Sequence, residues 1–283
     1  MKHKLLIMGE SGSGKTGSTA TLAGIPNKKV FYLMMEDSMR VVIRRLMELY
    51  GEVPANVYWH NFPYVGASID SMINSSDAVM KLDEDSQLKW RDKDRKTAVG
   101  FNSLLRFLKN MVDDRTGEIV GNVELLGDDW ILVPDSLTTI SEMIWAEYMG
   151  GRVAVDAREY SGPQSKITTL LSAMCWQWQC NIAMTAHTEE RETGRKSEVY
   201  KKYPRTLGAK LKDELGQYFD DIVWAKRLGK DQFQWDNASP MAAVKFRDLP
   251  PGTHAADARP IYEAIAKLTA VPAPTPVPLA VVK

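Results

Sequence analysis

Lys15 and Thr16 close the run Gly9-Glu10-Ser11-Gly12-Ser13-Gly14-Lys15-Thr16, which meets the spacing G-x-x-x-x-G-K-T in full. Glycines at these positions let the backbone curl until successive N–H groups point inward as a nest for an anion. A lysine there neutralises β- and γ-phosphates, and the hydroxyl that follows ligates Mg²⁺. Four apolar residues, Leu5 to Met8, lead straight into the run, and a helical pattern follows from Lys15 to Ala23. Strand before and helix after is the context this chemistry requires. The stretch therefore reads as a nucleoside triphosphate site, with ATP and Mg²⁺ as the expected ligands. Its contacts would be Gly9, Glu10, Ser11, Gly12, Ser13, Gly14, Lys15, Thr16 and Thr19, with Thr16 also a metal ligand.

Three more polar residues end apolar strands. Asp135, in WILVPDS, can orient Mg²⁺ through its water shell, although Pro134 beside it is unusual in a strand because it donates no ladder bond. Glu36, at the end of KVFYLMME, can polarise a water for attack on the γ-phosphate, and Asp37 next to it competes for that role. His187 ends NIAMTAH, where it could sense the γ-phosphate and relay its presence to the segment that follows.

The elements that must position these residues follow from pattern. Strands are expected at Lys4–Met8, Lys29–Met34, Val57–Phe62, Trp130–Val133 and Asn181–Ala186. Helices are expected at Lys15–Ala23, after a Ser38 cap as far as Gly51, and at Phe101–Val112, Leu137–Met149, Gln164–Gln179 and Gly208–Gln217. Residues 83–97 read as a solvated segment of mixed charge, and 188–205 as a loop. FDDIVWAKRLG, DQFQWD and MAAVKFR read as successive strands. Strands alternate with helices early and meander late. The expected fold class is α/β, a mainly parallel sheet with helices on both faces and an antiparallel C-terminal extension. One domain is expected over 1–268, with 269–283, rich in Pro and Ala, as an extended tail.

Bulk properties narrow the class. The 283 residues carry zero formal net charge, so attraction to nucleic acid needs a local patch. Two cysteines, Cys175 and Cys180, lack metal-ligand spacing and argue for a reduced, cytoplasmic compartment. No apolar run nears the roughly 20 residues of a membrane span, and MKHKLLIMGE is too short in apolar length for a signal peptide.

In order along the chain, GESGSGKT, the glutamate of LMMEDS, VPDSLTTI and MTAH resemble the RecA-type P-loop ATPase core over about residues 3–250. The layout is most similar to the short bacteriophage RecA-core ATPases implicated in single-strand annealing and recombination. The resemblance implies Glu36 as catalytic glutamate, Asp135 as the Mg²⁺-orienting acid and His187 as the γ-phosphate switch residue. It also implies that Lys245 and Arg247, on alternate residues of AAVKFRDLP, face the γ-phosphate of a neighbouring subunit. A homo-oligomer, ring or filament, with ATP at its interfaces would follow. No polymerisation segment is read ahead of the first strand and no second domain after the core, so assembly is expected to use another surface.

Residues 195–205 carry five basic residues against one acidic, with tyrosines interleaved. Arg195, Lys196, Lys201, Lys202 and Arg205 could follow phosphates, while Tyr200 and Tyr203 could stack on bases of single-stranded DNA. Residues 150–162, with Arg152, Arg158 and Tyr160, are a weaker second candidate. The proline-rich tail fits docking to a single-strand-binding or replication protein. The sequence leaves two other functions open: a P-loop kinase acting on a nucleoside or other small molecule, and a nucleotide-gated binding module with little turnover.

Overall fold

Residues at alternate positions of a strand point to opposite faces, so a strand apolar at every position must be covered on both sides. Lys4–Gly9 (β1) is buried throughout, and so is Trp130–Asp135 (β6). Lys29–Met34 (β2) is buried after its first residue, and Asn181–Glu192 (β7) over its first half. The structure, a computed structural model, describes residues 2–62, 80–81, 100–149, 160–192, 200–230 and 232–269. These strands form the centre of one sheet. It is completed by Val57–Asn61 (β3), Asp221–Arg227 (β9), Phe233–Asp236 (β10) and Thr253–Ala255 (β11), in the order β11-β10-β9-β1-β7-β6-β2-β3. Pairings from β9 to β3 are parallel, and β10 and β11 add the antiparallel extension.

Each face has its own core. Leu6, Met8, Phe31, Leu33, Leu132, Ile182 and Met184 pack beneath Phe101–Lys109 (α3), Leu137–Met149 (α4) and Ser161–Ser172 (α5). Leu5, Ile7, Val30, Tyr32, Ile131 and Ala183 pack beneath Met39–Tyr50 (α2) and Arg259–Thr269 (α7). The α/β class, with helices on both faces and an antiparallel extension, is therefore as expected.

Several element boundaries differ from expectation. The helix expected to Ala23 is α-helical only over Lys15–Ser18 (α1) and tightens to a 3₁₀ helix over Thr19–Gly24. Ser18, Thr19 and Thr21 each donate a hydroxyl hydrogen to the carbonyl three residues back, which competes with regular i→i−4 bonding. α3 stops at Lys109, and Met111–Val112 (β4) pairs with Ile119–Gly121 (β5) in a hairpin that periodicity did not reveal. The helix after residue 160 starts earlier than expected and ends in a π turn at Ala173–Gln177. Pro134 lies inside β6 without cost. The Asp135 carbonyl accepts from Met35 on the β2 side, so the Pro134 nitrogen faces β7, whose ladder with β6 ends at Leu132.

Two corrections touch candidate site residues. The segment 188–205 is not a plain loop, because β7 continues to Glu192 and pairs antiparallel with Tyr200–Pro204 (β8). MAAVKFR is not a strand, since Ala242 bridges β8 while Lys245 bridges β9, and no single neighbour offers a continuous ladder. Ala209–Glu214 (α6) lies between these parts.

The end of the sheet opposite the phosphate loop is pinned by a buried carboxylate. Asp221 Oδ1 accepts the backbone N–H groups of Arg247 (2.7 Å) and Leu249 (3.4 Å), while Oδ2 accepts from Asp248 N–H (3.2 Å) and lies 2.9 Å from His3 Nε2. His3, Asp221 and Asp248 have the residue types of a metal site, their ligand atoms lying within 4.8 Å of one another. Both Asp221 oxygens are already committed, so the cluster is a structural pin. Burial pushes the Asp221 carboxyl up, but the His3 contact and the backbone donors outweigh it and hold its pKa below the usual 3.8. Asp221→Ala is therefore expected to cost about 3 kcal/mol by urea denaturation at pH 7, because four partners lose their acceptor inside the protein. That cost is fully present above pH 3.8 and shrinks as pH falls through the lowered value. An unchanged urea midpoint would show that Asp221 does not pin this end of the sheet.

Candidate nucleotide and metal site

β1 delivers Gly9 to the sheet's carboxyl edge, and the chain then folds back over it. Gly12 and Gly14 adopt φ of 74° and 84°, left-handed values that glycine takes without a Cβ penalty. A Cβ on Gly9 would meet Ser13 Oγ at 2.4 Å and the Ala225 carbonyl at 2.7 Å, so the loop lies directly on the sheet. A Cβ on Gly14 would meet the Phe233 ring at 2.5 Å, which places a half-exposed aromatic ring from β10 against the loop. Lys15 is buried and donates to the Glu10 carbonyl at 2.8 Å. Burial lowers its pKa, while Asp135, Glu36 and Glu10 counter that shift. The Ser13 hydroxyl is buried with no hydrogen-bond partner among the described residues. An unpaired donor and a buried ammonium beside a glycine cradle fit an anionic phosphate group.

β6 brings Asp135 to the same edge, and the carboxylate is 2 % exposed. Its Oδ2 accepts from Thr16 Oγ1 at 3.1 Å and Ser38 Oγ at 2.6 Å, and its Oδ1 accepts from Thr185 Oγ1. Hydroxyls and a carboxylate converging on one point are the hard oxygen donors that Mg²⁺ takes. Ser38 is a correction to the expected helix cap. It precedes α2 but makes no side-chain cap bond, and its hydroxyl turns to Asp135 instead.

Glu36 follows β2, and its Oε1 accepts from Ser136 Oγ and Thr139 Oγ1, both at 2.8 Å. His187 Nε2 lies 3.4 Å from the same oxygen. The His187 contact is the largest influence. With the two hydroxyls it outweighs the opposing effect of burial and holds the Glu36 pKa down at about 2. Asp37 is exposed, and no such cluster surrounds it. The geometry thus brings Glu36, not Asp37, to Ser136, Thr139 and His187. The His187 backbone is wedged between two elements: its N–H donates to Thr138 Oγ1 in α4 at 3.0 Å, and its carbonyl accepts from Arg205 N–H at 2.7 Å.

Lys245 and Arg247 do not join this cluster. Lys245 bridges Ile222, at the sheet end away from the phosphate loop. Its ammonium donates to the Gly216 and Phe219 carbonyls, both at 2.7 Å, and Arg247 pairs with Asp220. The alternating strand face on which both were expected is absent, and each side chain is held by acceptors of its own chain.

The expected basic surface is also largely neutralised. Lys202 contacts Glu10 and lies 3.0 Å from Glu190, and Arg205 lies 3.0 Å from Glu142. Tyr200 OH donates to Glu192 at 3.2 Å. The Tyr203 ring has the Lys201 ammonium at 5.7 Å and the Arg191 guanidinium at 5.5 Å from its centroid. Arg195, Lys196, Arg152 and Arg158 lie outside the described residues, as do all of 83–97 and the tail beyond Thr269. Tyr160 stacks on Trp145 at 4.6 Å. Sequence reading missed Ser38, Ser136, Thr139, Thr185 and Phe233. The hydroxyls of PDSLTT were visible, but their partner, 100 residues away, was not.

The motif-bearing strands lie side by side as β1, β7, β6 and β2, each motif at the carboxyl end of its strand, in the mainly parallel α/β arrangement expected from the sequence. No protein-family model matches the chain, and no curated protein sequence matches it. Among solved structures, a prototypical ATPase from the type III secretion system of pathogenic bacteria aligns over 94% of this chain, with TM-score 0.41 and 12% identity. This chain spans 63% of that protein's length. The RadB recombinase aligns over 88% of this chain and 84% of its own, with TM-score 0.40 and 13% identity. These are likenesses of fold alone. Among the described residues, no helix is long and apolar enough to cross a membrane.

The low Glu36 pKa makes a stability prediction. A depressed carboxyl stabilises the fold above its unfolded value and loses that contribution as pH falls through the folded one. The difference in urea midpoint between wild type and Glu36→Gln is therefore expected to be constant above about pH 4.5 and to shrink toward pH 2. A difference that does not change across this window would show that the hydroxyls and His187 do not hold the carboxylate.

Proposed function

We propose that the chain is a Mg²⁺-dependent ATPase that binds single-stranded DNA and works as a homo-oligomer in recombination or annealing. One observation supports the nucleotide part: Lys15, Thr16, Asp135, Glu36 and His187 converge at the carboxyl edge of adjacent strands, joined by the hydroxyls of Ser38, Ser136 and Thr139. In this reading the glycine nest and Lys15 would hold the β- and γ-phosphates, and Thr16 and Asp135 would hold Mg²⁺. The metal would draw charge from the phosphate oxygens as the bond to the leaving group lengthens. Glu36, ionised at any pH above about 2, orients the attacking water and takes its proton, using whichever oxygen the hydroxyls leave open. The Phe233 ring, packed on Gly14, is placed to flank the nucleotide just outside the nest.

The DNA part rests on the β7–β8 hairpin, which starts one residue after His187 and presents Tyr200, Lys201 and Tyr203. Aromatic faces and cations on one ribbon suit stacked bases and their phosphates. Oligomer geometry, and any partner that the proline-rich tail recruits, belong to the same proposal.

ATP hydrolysis measured with and without a single-stranded oligonucleotide tests the reading. Lys15→Ala and Glu36→Gln are each expected to lower turnover at least about 100-fold, with Glu36→Gln still binding nucleotide. Tyr200→Ala/Lys201→Ala is expected to leave the DNA-free rate unchanged and abolish stimulation by the oligonucleotide. Hydrolysis indifferent to DNA in wild type would overturn the recombination reading, and phosphate transfer to a metabolite would replace it with a kinase.

A further inference from the structure

Glu10 is chemically out of place. It puts a carboxylate at the second position of a loop whose backbone is shaped to hold an anion, and its side chain is 64% exposed. Its partner comes from outside the nucleotide site, since Lys202 of β8 reaches across and contacts Glu10 Oε1. The same ammonium lies 3.0 Å from Glu190 Oε1 and 5.7 Å from the centroid of the Trp224 ring, and the Lys202 side chain is only 19% exposed. Its reach is set by the backbone. The Lys202 N–H donates to the Met241 carbonyl and its carbonyl accepts from Ala243 N–H, both at 2.8 Å. A lysine clamped on both sides of its backbone and laid along a tryptophan face is a positioned group.

We propose that Lys202 is a positioning residue for nucleotide binding: it cancels the charge of Glu10, so that the phosphate loop's grip depends on the β7–β8 hairpin being seated. The proposal rests on the nucleotide reading above. Glu10, Lys202 and Glu190 together carry one net negative charge. Removing Lys202 leaves two negative charges beside the nest, and removing Glu10 as well restores one. At an effective dielectric of about 40, a unit charge roughly 7 Å from a phosphate changes its affinity about 5- to 10-fold. Coupling of this kind is reciprocal, so nucleotide in the loop also tightens the hairpin's seating. A ligand that draws the hairpin away loosens the nucleotide by the same factor. His187 senses the phosphate from the strand itself, whereas Lys202 works from the returning strand, on a different residue of the loop.

The test is a double-mutant cycle on the full chain, with Mg-ADP affinity measured by calorimetry. Lys202→Met is expected to weaken binding about 5- to 10-fold, Glu10→Gln to leave it equal or tighter, and Glu10→Gln/Lys202→Met to bring it back to the wild-type value. Lys202→Arg keeps the charge and is expected to stay within about twofold of wild type. A Lys202→Met variant with unchanged affinity, or a double variant as weak as Lys202→Met alone, would overturn the proposal; the latter would show a direct Lys202–phosphate contact. Amide exchange of residues 200–203 decides independently of whether Lys202→Met folds. Mg-ADP is expected to slow exchange there in wild type and to have no such effect in Glu10→Gln, and equal slowing in both proteins sinks the idea. Lys15→Ala serves as the non-binding control. Wild-type protein that binds no Mg-ADP overturns the nucleotide reading, and this inference with it.

Discussion

A single buried carboxylate organises the working edge of this protein. Asp135 gathers Thr16 from the phosphate-loop helix, Ser38 from the start of α2 and Thr185 from β7. Three elements that meet nowhere else in sequence are thereby tied to the end of β6. A buried anion held only by neutral hydroxyls is under-compensated, since removing a charge from water costs several kcal/mol unless a countercharge is near. Lys15, also buried and with its own pKa lowered, is the counterpart within the cluster. In the proposed reading, a phosphate and a divalent cation between them would satisfy both groups better than they satisfy each other.

Around this centre the sheet has two ends with different tasks. At the amino end Asp221 ties down the chain at Arg247–Leu249 and meets His3, while Lys245 donates to carbonyls of its own chain and Arg247 pairs with Asp220. At the carboxyl end the groups are linked by hydroxyls, whose donors rotate to suit a changing acceptor. The β7–β8 hairpin belongs to the second end. Across its ladder Glu190 faces Lys202 while Arg191 faces Lys201, so the acids of β7 offset only part of the charge that reads as a cationic loop. Its contribution to function therefore lies in where individual side chains are delivered, Lys202 onto Glu10 above all.

Much of this was legible in the chain alone. The phosphate loop could be read because its chemistry is local: glycines, Lys15 and Thr16 lie within eight residues. Strands apolar at every position announced a sheet covered on both faces, and the late meander announced the antiparallel extension. Glu36, Asp135 and His187 stood out because a polar residue that ends a buried strand lies at one edge of the sheet. The β7–β8 hairpin was not legible, because 188–205 reads as a polar loop and its pairing is set by tertiary contacts.

What the sequence determined was the set of groups and the strand each one ends, because those facts depend on neighbours a few residues away. Tertiary structure alone decided which of them meet. It turned Ser38 from a helix cap into a partner of Asp135, chose Glu36 over Asp37 by surrounding it with Ser136, Thr139 and His187, and moved Lys245 and Arg247 to the far end of the sheet. The physical reason is the strand order. Placing β7 between β1 and β6 brings residues 16, 38, 135 and 185 within hydrogen-bond distance, and no periodicity in the chain encodes which parallel strands lie side by side.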